Sequence, residues 1–164
     1  MKNEPQHTAF SVGEEAEAVV RRYADMVYRL AWAYARSGAD ADDIFQEVFL
    51  RYLRHAPEFE SEEHRKAWLL RVTINRAKSH LAAHRLRPAP QADDAVPFTA
   101  PETLELHEAL KKLPPKYRAV IHLFYFEDCT VEEIGSILNR KPATVRTQLT
   151  RARAQLAKLL NEDI

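Results

Sequence analysis

The C-terminal part of the sequence carries basic and hydroxyl side chains whose spacing suits contact with a polyanion. Residues 136–158 contain six Lys or Arg and no acidic residue, and residues 64–89 contain seven Lys or Arg and no acidic residue. The chain of 164 residues nevertheless has a formal net charge of zero, so the rest of it is net acidic. Two basic stretches on an acidic body predict two contacts with a polyanion and a separate acidic surface for another partner.

The last basic stretch has the pattern of a helix that enters a DNA groove. Its apolar residues recur at helical spacing and predict a buried stripe: Val145, Leu149, Ala152 and Leu156. The exposed side carries short hydroxyls among cations: Lys141, Thr144, Arg146, Thr147, Thr150 and Arg151. In a major groove, threonine can touch a phosphate or a thymine methyl group, and arginine can read guanine. The sequence therefore predicts a recognition helix.

The residues before this stretch predict the rest of a helix-turn-helix. Thr130 and Glu133 have the spacing of a capping box that starts a short helix, Val131 to Leu138. Asn139 can adopt the left-handed conformation of a tight turn, and Pro142 suits the first turn of the following helix. Gly135 is small where the two helices must approach each other closely. A short helix, a short turn and a longer helix form this motif.

Two further helices complete the predicted second module, which is separated from the first by a proline-rich segment. One helix is predicted from Glu102 to Leu113, and the other follows Pro114 and Pro115 with four inward-facing residues: Val120, Ile121, Phe124 and Tyr125.

The stretch RPAPQADDAVPFTAP contains four prolines and no apolar periodicity. A linker of this kind, 14 residues at roughly 3.1 Å each, could hold two bodies about 45 Å apart. We therefore expect two tethered modules.

The first module is predicted to contain three helices. An apolar stripe from Val19 to Tyr34 predicts the first helix, which ends near Ser37 and Gly38. Asp40 is expected to cap the second helix. The second helix buries an apolar side, Ile44, Phe45, Val48, Phe49, Tyr52 and Leu53, and directs outward Asp43, Gln46, Glu47 and Arg51. The third helix, about His64 to Leu86, sets an apolar stripe of Leu70, Ile74, Ala77 and Leu81 against a second stripe of Trp68, Arg71, Asn75 and Ser79.

Several other classes of protein fit the sequence poorly. No apolar run is long enough to span a bilayer, and the polar N-terminus lacks the build of a signal peptide, which favours a cytoplasmic location. The single cysteine, Cys129, excludes an internal disulfide and favours a structural role over redox sensing. His80 and His84 lie one helical turn apart, but no third metal ligand is evident. We expect no metal, no cofactor and no enzymatic activity, because no nucleophile and base pair or phosphate-binding glycine loop is present.

Three stretches together resemble a known family. DADDIFQEVFLRYLRH, HRKAWLLRVTINRAKSHL and LPPKYRAVIHLFYFEDCTVEEIGSILNRKPATVRTQLTRARAQL are similar, in that order, to the two conserved parts of bacterial sigma factors of the extracytoplasmic-function (ECF) group. The resemblance implies an all-α protein with two small helical domains on a flexible linker, the second a four-helix helix-turn-helix domain. The implied divisions are a flexible N-terminus, 1–17, a region 2-like domain, 18–87, a linker, 88–101, and a region 4-like domain, 102–161.

The resemblance also implies partners and site residues. Asp43, Gln46 and Glu47 match a D-x-x-Q-E stretch that docks on the clamp helices of core RNA polymerase, and the outward Arg51 extends that face. The loop of Phe59, Glu62 and His64 matches one that receives a flipped promoter base. The melted −10 strand is expected on this loop and on four residues of the third helix: Trp68, Arg71, Asn75 and Lys78. Trp68 fits packing in the small core equally well. The recognition helix is expected to read the −35 element, and the second module to contact the polymerase flap.

The family pattern is not matched everywhere, and one other function stays open. Ser79 stands where family members often have an acidic residue, Asn139 replaces a usual glycine, and Lys141 stands where a capping serine is frequent. An anti-sigma protein is a further partner that the family suggests. The alternative is a helix-turn-helix transcriptional regulator that acts without replacing the sigma subunit, although it leaves the D-x-x-Q-E helix and the basic third helix without a task.

Overall fold

The computed structural model describes residues 9–84 and 101–161, and every regular element in those two ranges is helical. The first module contains α1 (Ala9–Tyr34), α2 (Gly38–His55) and α3 (Glu62–His84). The second contains α4 (Pro101–Lys112), α5 (Pro115–Ile121), a π-helical turn (His122–Phe126), α6 (Val131–Leu138) and α7 (Pro142–Asn161). This confirms the all-α prediction. Most of the predicted linker, 88–101, lies outside the described residues, as does Leu86.

The start of the first module differs from the sequence prediction in two places. Helix α1 begins at Ala9, inside the segment 1–17 that was expected to be flexible. At the end of that segment, Glu17 forms an ion pair of 2.6 Å with Arg21, four residues later in the same helix. Ser37, rather than Asp40, caps α2: its Oγ accepts a hydrogen bond of 3.2 Å from the Asp40 amide. Asp40 instead lies in the first turn, where the helix dipole favours its charge.

The core of the first module contains the residues at the predicted spacings, with one exception. Val27, Leu30, Ile44, Val48, Leu70 and Ile74 are buried between the three helices. Leu53 was predicted on the buried side of α2, and this is wrong: 60% of its surface is exposed. At the C-terminal end of α2 the buried position is taken by Tyr52, whose ring packs on Phe59 and Trp68. Leu53 and the neighbouring Leu50 therefore face solvent.

The second module contains a π-helical turn that the sequence did not reveal. Val120 and Ile121 are buried as predicted, but the turn that follows them is wider than an α-helical turn. Because a π-helical turn contains more residues than an α-helical turn, the side chains after Ile121 point in directions different from those predicted at 3.6 residues per turn. As a result Tyr125, predicted to face inward, is 52% exposed, and its hydroxyl accepts a hydrogen bond from Arg153.

The helix-turn-helix has the local structure that its sequence predicts. Thr130 caps α6, because its side-chain oxygen accepts a hydrogen bond from the Glu133 amide at 3.1 Å. Asn139 ends that helix in the left-handed conformation, with φ 54° and ψ 53°. Gly135 is buried against the turn, where an added Cβ would lie 2.6 Å from the carbonyl oxygen of Arg140. The turn and the two helices are thus held at a separation that only glycine permits.

Replacing Gly135 with alanine is expected to lower the free energy of unfolding by about 1–3 kcal/mol, because backbone must shift to admit the methyl group. Urea denaturation followed by circular dichroism measures the loss. The neighbouring Ser136→Ala change at an exposed position of the same helix serves as control. A Gly135→Ala protein as stable as the control would contradict the close approach of helix and turn.

The two modules pack against each other, whereas the sequence suggested bodies held apart by a linker. Trp32 and Tyr34 at the end of α1 are buried, and the Trp32 ring stacks on that of His107 in α4 at 6.0 Å. The buried Arg118 of α5 donates to the carbonyl oxygen of Ala33 at 3.2 Å and lies over the Tyr34 ring. The apolar C-terminal end of α1 therefore contributes to both modules. Periodicity alone assigned it to the first.

Acid is expected to destabilise this packing through His107. Burial, followed by the charges of Lys111, His122 and Arg118, lowers the pKa of His107 from 6.5 to about 4. At pH values between about 4 and 6.5, His107 binds a proton in the unfolded chain but not in the folded chain. The free energy of unfolding therefore falls as the pH decreases from about 7 towards 5. We expect a loss of about 1 kcal/mol after discounting for partial exposure. Thermal unfolding at pH 7 and at pH 5 should show a smaller loss of stability on acidification for His107→Gln than for the wild type. An equal loss in the two proteins would contradict the assignment to His107.

Candidate nucleic-acid interface

Helix α7 presents one polar face to solvent and packs its other face on the second module. Val145, Leu149 and Ala152 are buried beneath it. The six residues predicted to read the −35 element are all exposed: Lys141, Thr144, Arg146, Thr147, Thr150 and Arg151. Because three of them are cations and no acid lies in residues 136–158, this face is suited to a polyanion. The structure thus brings these residues together on one surface.

The threonines and arginines of this face differ in how they are held. Thr147 and Thr150 each donate their hydroxyl to a backbone carbonyl one turn earlier, at 3.1 Å. Their methyl groups and oxygen lone pairs are left for a ligand. Arg146 lies 3.4 Å from the Glu132 carboxylate on α6, an exposed pair that is weak in water. Phosphate or a base edge can therefore replace Glu132 as its partner.

Two cations next to this face were missed by the sequence reasoning. Lys116, in the first turn of α5, lines the same groove as Thr144, Thr147 and Arg151. Arg140, in the turn of the motif, donates to the Gln148 side chain at 2.7 Å and to the carbonyl oxygen of Lys116 at 3.3 Å. Neither Lys116 nor Arg140 lies at the helical spacing of the exposed residues of α7. The only sequence signal is the basic character of residues flanking a predicted helix-turn-helix.

On α3, the residues predicted to touch the −10 strand lie along the border with the second module. Arg71, Asn75 and Lys78 are exposed and line a groove together with the C-terminal end of α6. Arg71 is engaged there: its guanidinium donates to the carbonyl oxygen of Ser136 at 2.9 Å and to that of Ile137 at 3.3 Å. Partial burial, followed by the charge of Arg140, lowers the pKa of Lys78.

An aromatic cluster occupies the other end of α3. Phe59 stacks on Tyr52 with rings 6.2 Å apart and meets Trp68 and His64 edge to face. The Arg65 guanidinium lies 5.1 Å from the Phe59 ring centre. Tyr52, Phe59 and Arg65 line an open cleft of about 520 Å³, whereas Trp68 supports the cluster from behind. Glu15 and Glu58 also line this cleft, and Arg65 is paired with Glu15 at 3.6 Å and with Glu62, so the cleft offers aromatic surface beside an arginine whose charge is already balanced.

The outer surface of α2 has a different chemistry. The predicted docking residues are exposed on it: Asp43, Gln46, Glu47 and Arg51. Leu50 and Leu53 are exposed on the same side of the helix, and both were missed. The apolar pattern had assigned Leu53 to the core, and Leu50 was in neither the predicted buried set nor the predicted outward set. Two large apolar side chains within a polar stripe are typical of the centre of a protein interface. This surface, which we call the α2 face, is suited to a protein partner.

His80 lies between two carboxylates of α2. Its Nδ1 faces Asp40 at 4.0 Å and its Nε2 faces Asp43 at 3.8 Å. The two ring nitrogens thus face different carboxylates, and His80 links α3 to α2. The side chain of His84, the other member of the predicted histidine pair, lies outside the described residues. No helix in the described residues is long and apolar enough to cross a membrane.

Family matches cover both modules. Residues 19–87 match Sigma-70 region 2, and residues 103–156 match Sigma-70, region 4. The ECF RNA polymerase sigma factor SigE of Mycolicibacterium smegmatis is 33% identical to this chain in an alignment of 181 positions. The alignment covers 96% of this chain and 69% of SigE. The ECF RNA polymerase sigma factor SigW of Bacillus subtilis is 31% identical in an alignment of 164 positions, which covers 88% of each chain.

The fold is also similar to that of a solved structure. The sigma factor RpoE from Bartonella quintana, determined in complex with the anti-sigma factor NepR, superposes with a TM-score of 0.77. The alignment covers 92% of this chain and 99% of RpoE at 19% identity. At that identity the likeness bears on the arrangement of helices alone.

Proposed function

The chain belongs to the ECF group of RNA polymerase sigma factors, and we propose that it binds core RNA polymerase, recognises −35 and −10 promoter elements and promotes DNA melting. The observation that carries this proposal is the presence of two unlike exposed surfaces on one chain. The exposed side of α7 from Thr144 to Arg151, which we call the α7 face, carries cations and hydroxyl groups. The α2 face carries acidic and amide side chains around Leu50 and Leu53. A cationic face alone would serve a DNA-binding regulator, whereas Leu50 and Leu53, exposed within a polar face, favour an additional protein partner.

Recognition of the −35 duplex would rely on α7. A helix in the major groove can reach base edges with about four side chains, and the α7 face supplies short threonines between arginines. Because the Thr147 and Thr150 hydroxyls already donate to carbonyls, these two residues would meet DNA through methyl groups and oxygen lone pairs. Lys116 beside the groove would add a phosphate contact.

Capture of the −10 strand would rely on the aromatic cleft and α3. Flipping a base out of the stack costs a few kcal/mol. Stacking on an aromatic side chain returns about 1–3 kcal/mol for each base, and Phe59 offers such a surface next to Arg65. Asn75, Lys78 and Arg71 extend the contact along the strand. The chain thereby stabilises DNA that is already unpaired, without covalent chemistry.

An anti-sigma factor is a further partner that we propose. The similar RpoE was determined in complex with the anti-sigma factor NepR. The exposed Leu50 and Leu53 give the α2 face an apolar centre that a second protein could cover as well as polymerase. Such a partner would compete with polymerase for that surface.

Co-purification with core RNA polymerase tests the proposed function against a helix-turn-helix regulator. The purified chain is mixed with core polymerase lacking any sigma subunit, and the mixture is separated by gel filtration. A sigma factor elutes with the polymerase and is displaced by an excess of another sigma factor, since the two share a docking site. A chain that binds duplex DNA yet never elutes with core polymerase would refute the proposal in favour of the regulator.

A further inference from the structure

Gln148 lies within the α7 face, although the sequence reasoning did not include it among the residues that read DNA. It follows Thr144 by four residues and precedes Arg151 by three, so the three side chains share one side of the helix. All three line the groove beside Lys116, and Gln148 is half-buried there. We propose that Gln148 reads a base of the −35 duplex and that Arg140 sets which base it prefers. The proposal rests on the proposed function, because it concerns duplex reading by α7.

Arg140 is fixed in the turn of the helix-turn-helix. Its backbone amide donates to the carbonyl oxygen of Gly135 at 2.9 Å, which anchors the residue to α6. Its guanidinium donates at 3.3 Å to the carbonyl oxygen of Lys116 on α5 and at 2.7 Å to Oε1 of Gln148 on α7. Arg140 therefore connects three helices. It acts as a positioning residue for Gln148, because it holds one end of the Gln148 amide from outside α7.

The contact also decides which end of the Gln148 amide is left for DNA. A guanidinium has only donors, so the amide oxygen must be the atom that faces Arg140. The amide nitrogen is bonded to the same carbon and has two hydrogens to donate. Within the part of the chain that the structure describes, no protein group accepts a hydrogen bond from this nitrogen. Since the Thr147 hydroxyl already donates to a backbone carbonyl, Gln148 supplies a neutral donor where threonine can only accept.

A donor without its acceptor favours particular bases in the major groove. Guanine presents two acceptors there, N7 and O6, and thymine presents O4, whereas cytosine presents only the N4 donor. Glutamine can also form a bidentate contact with N6 and N7 of adenine, but both ends of its amide must then face the base. Here the oxygen faces Arg140 and already accepts a charge-assisted hydrogen bond. Gln148 is therefore expected to select guanine or thymine at one position of the −35 element.

Selection from a pool of DNA duplexes tests this assignment. Duplexes randomised over about ten base pairs, one turn of the helix, are incubated with the full chain, and the bound fraction is sequenced. For the wild type we expect one position at which guanine or thymine exceeds cytosine about fivefold, as one hydrogen bond predicts. Gln148→Glu keeps the shape of the side chain and the contact with Arg140, but replaces the donor with an acceptor. This variant should reverse the preference at that position in favour of cytosine, whose N4 donates.

Two further variants separate base reading from changes of charge and stability, and circular dichroism checks that each variant is folded. Gln155→Glu introduces the same charge two helical turns later, outside the groove, and should select the same bases as the wild type. Arg140→Met frees the oxygen of Gln148 for the bidentate contact, and should raise the share of adenine at that position about fivefold. A general loss of affinity would lower the binding of every duplex without changing the preferred base.

The results distinguish failure of this assignment from failure of the proposed function. Unchanged base preference in Gln148→Glu would overturn base reading by Gln148, as would a wild-type chain that enriches no duplex. An unchanged share of adenine in Arg140→Met would overturn the positioning role of Arg140. If the wild type co-purifies with core polymerase in either case, the proposed function stands. A reversed preference in a chain that never elutes with polymerase would leave the assignment intact and refute the proposed function.

Discussion

Replacing Arg151 with alanine is expected to lower −35-dependent transcription roughly tenfold to a hundredfold while leaving the affinity for core polymerase unchanged. Arg151 is exposed on the α7 face beside Thr147 and lies in the groove that Lys116 lines. A bidentate contact from arginine to guanine contributes about 1–3 kcal/mol of discrimination, which corresponds to this range. Arg146→Ala is expected to have a similar effect, because the exposed pair of Arg146 with Glu132 is weak in water and DNA can replace Glu132 in it.

Arg153 provides the matched control for the Arg151 change. It is also an arginine of α7, but its guanidinium donates to the Tyr125 hydroxyl at 2.6 Å and lies over the Phe124 and Tyr125 rings. Arg153→Ala therefore removes the same charge from another side of the helix. Run-off transcription on templates with intact and scrambled −35 elements measures both variants. Equal losses for Arg151→Ala and Arg153→Ala would contradict the assignment of the α7 face.

The second large effect is expected on the α2 face. Replacing both Gln46 and Glu47 with alanine should weaken binding to core polymerase about tenfold to a hundredfold, because both side chains are exposed around the apolar Leu50. Loss of polar contacts at the centre of an interface costs about 2 kcal/mol or more at a few positions. The −35 duplex should still bind the purified variant, since α7 is untouched. Fluorescence anisotropy with labelled chain and core polymerase gives the affinity.

Glu63→Gln serves as the control for charge on the first module. Glu63 is exposed in the first turn of α3 and does not lie on α2, so its replacement should leave core affinity within about twofold of the wild type, as for most surface changes. Leu53→Ala tests the apolar part that the structure adds, and should weaken core binding without lowering stability. Wild-type affinity in the Gln46 and Glu47 double variant would refute docking through this face.

Local signals in the sequence were sufficient to predict the helix-turn-helix. Thr130 caps α6, Asn139 ends it in the left-handed conformation, and the bounds Val131 to Leu138 are those observed. Each depends on residues within one turn, for which the rules of capping and turn formation are strong. The exposure of the predicted α7 residues follows from the same periodicity.

What could not be predicted depends on a local change of helix type and on contacts between distant parts of the chain. The π-helical turn alters the phase of a pattern read at 3.6 residues per turn, so Tyr125 was assigned to the wrong side. Leu53 looks like a core residue until Tyr52, Phe59 and Trp68 are seen to fill that end of the core. The contact of Arg71 with the end of α6 joins residues more than 50 positions apart, and no local pattern reports it.

The proposed function requires that this chain direct core polymerase to a promoter. Run-off transcription with purified core polymerase, on a template taken from upstream of the gene for this protein, measures that directly. We expect a discrete transcript that requires the chain and is lost when the −35 or −10 element is scrambled. Polymerase that starts at no specific site in the presence of the chain, although the chain is folded and binds DNA, would contradict it.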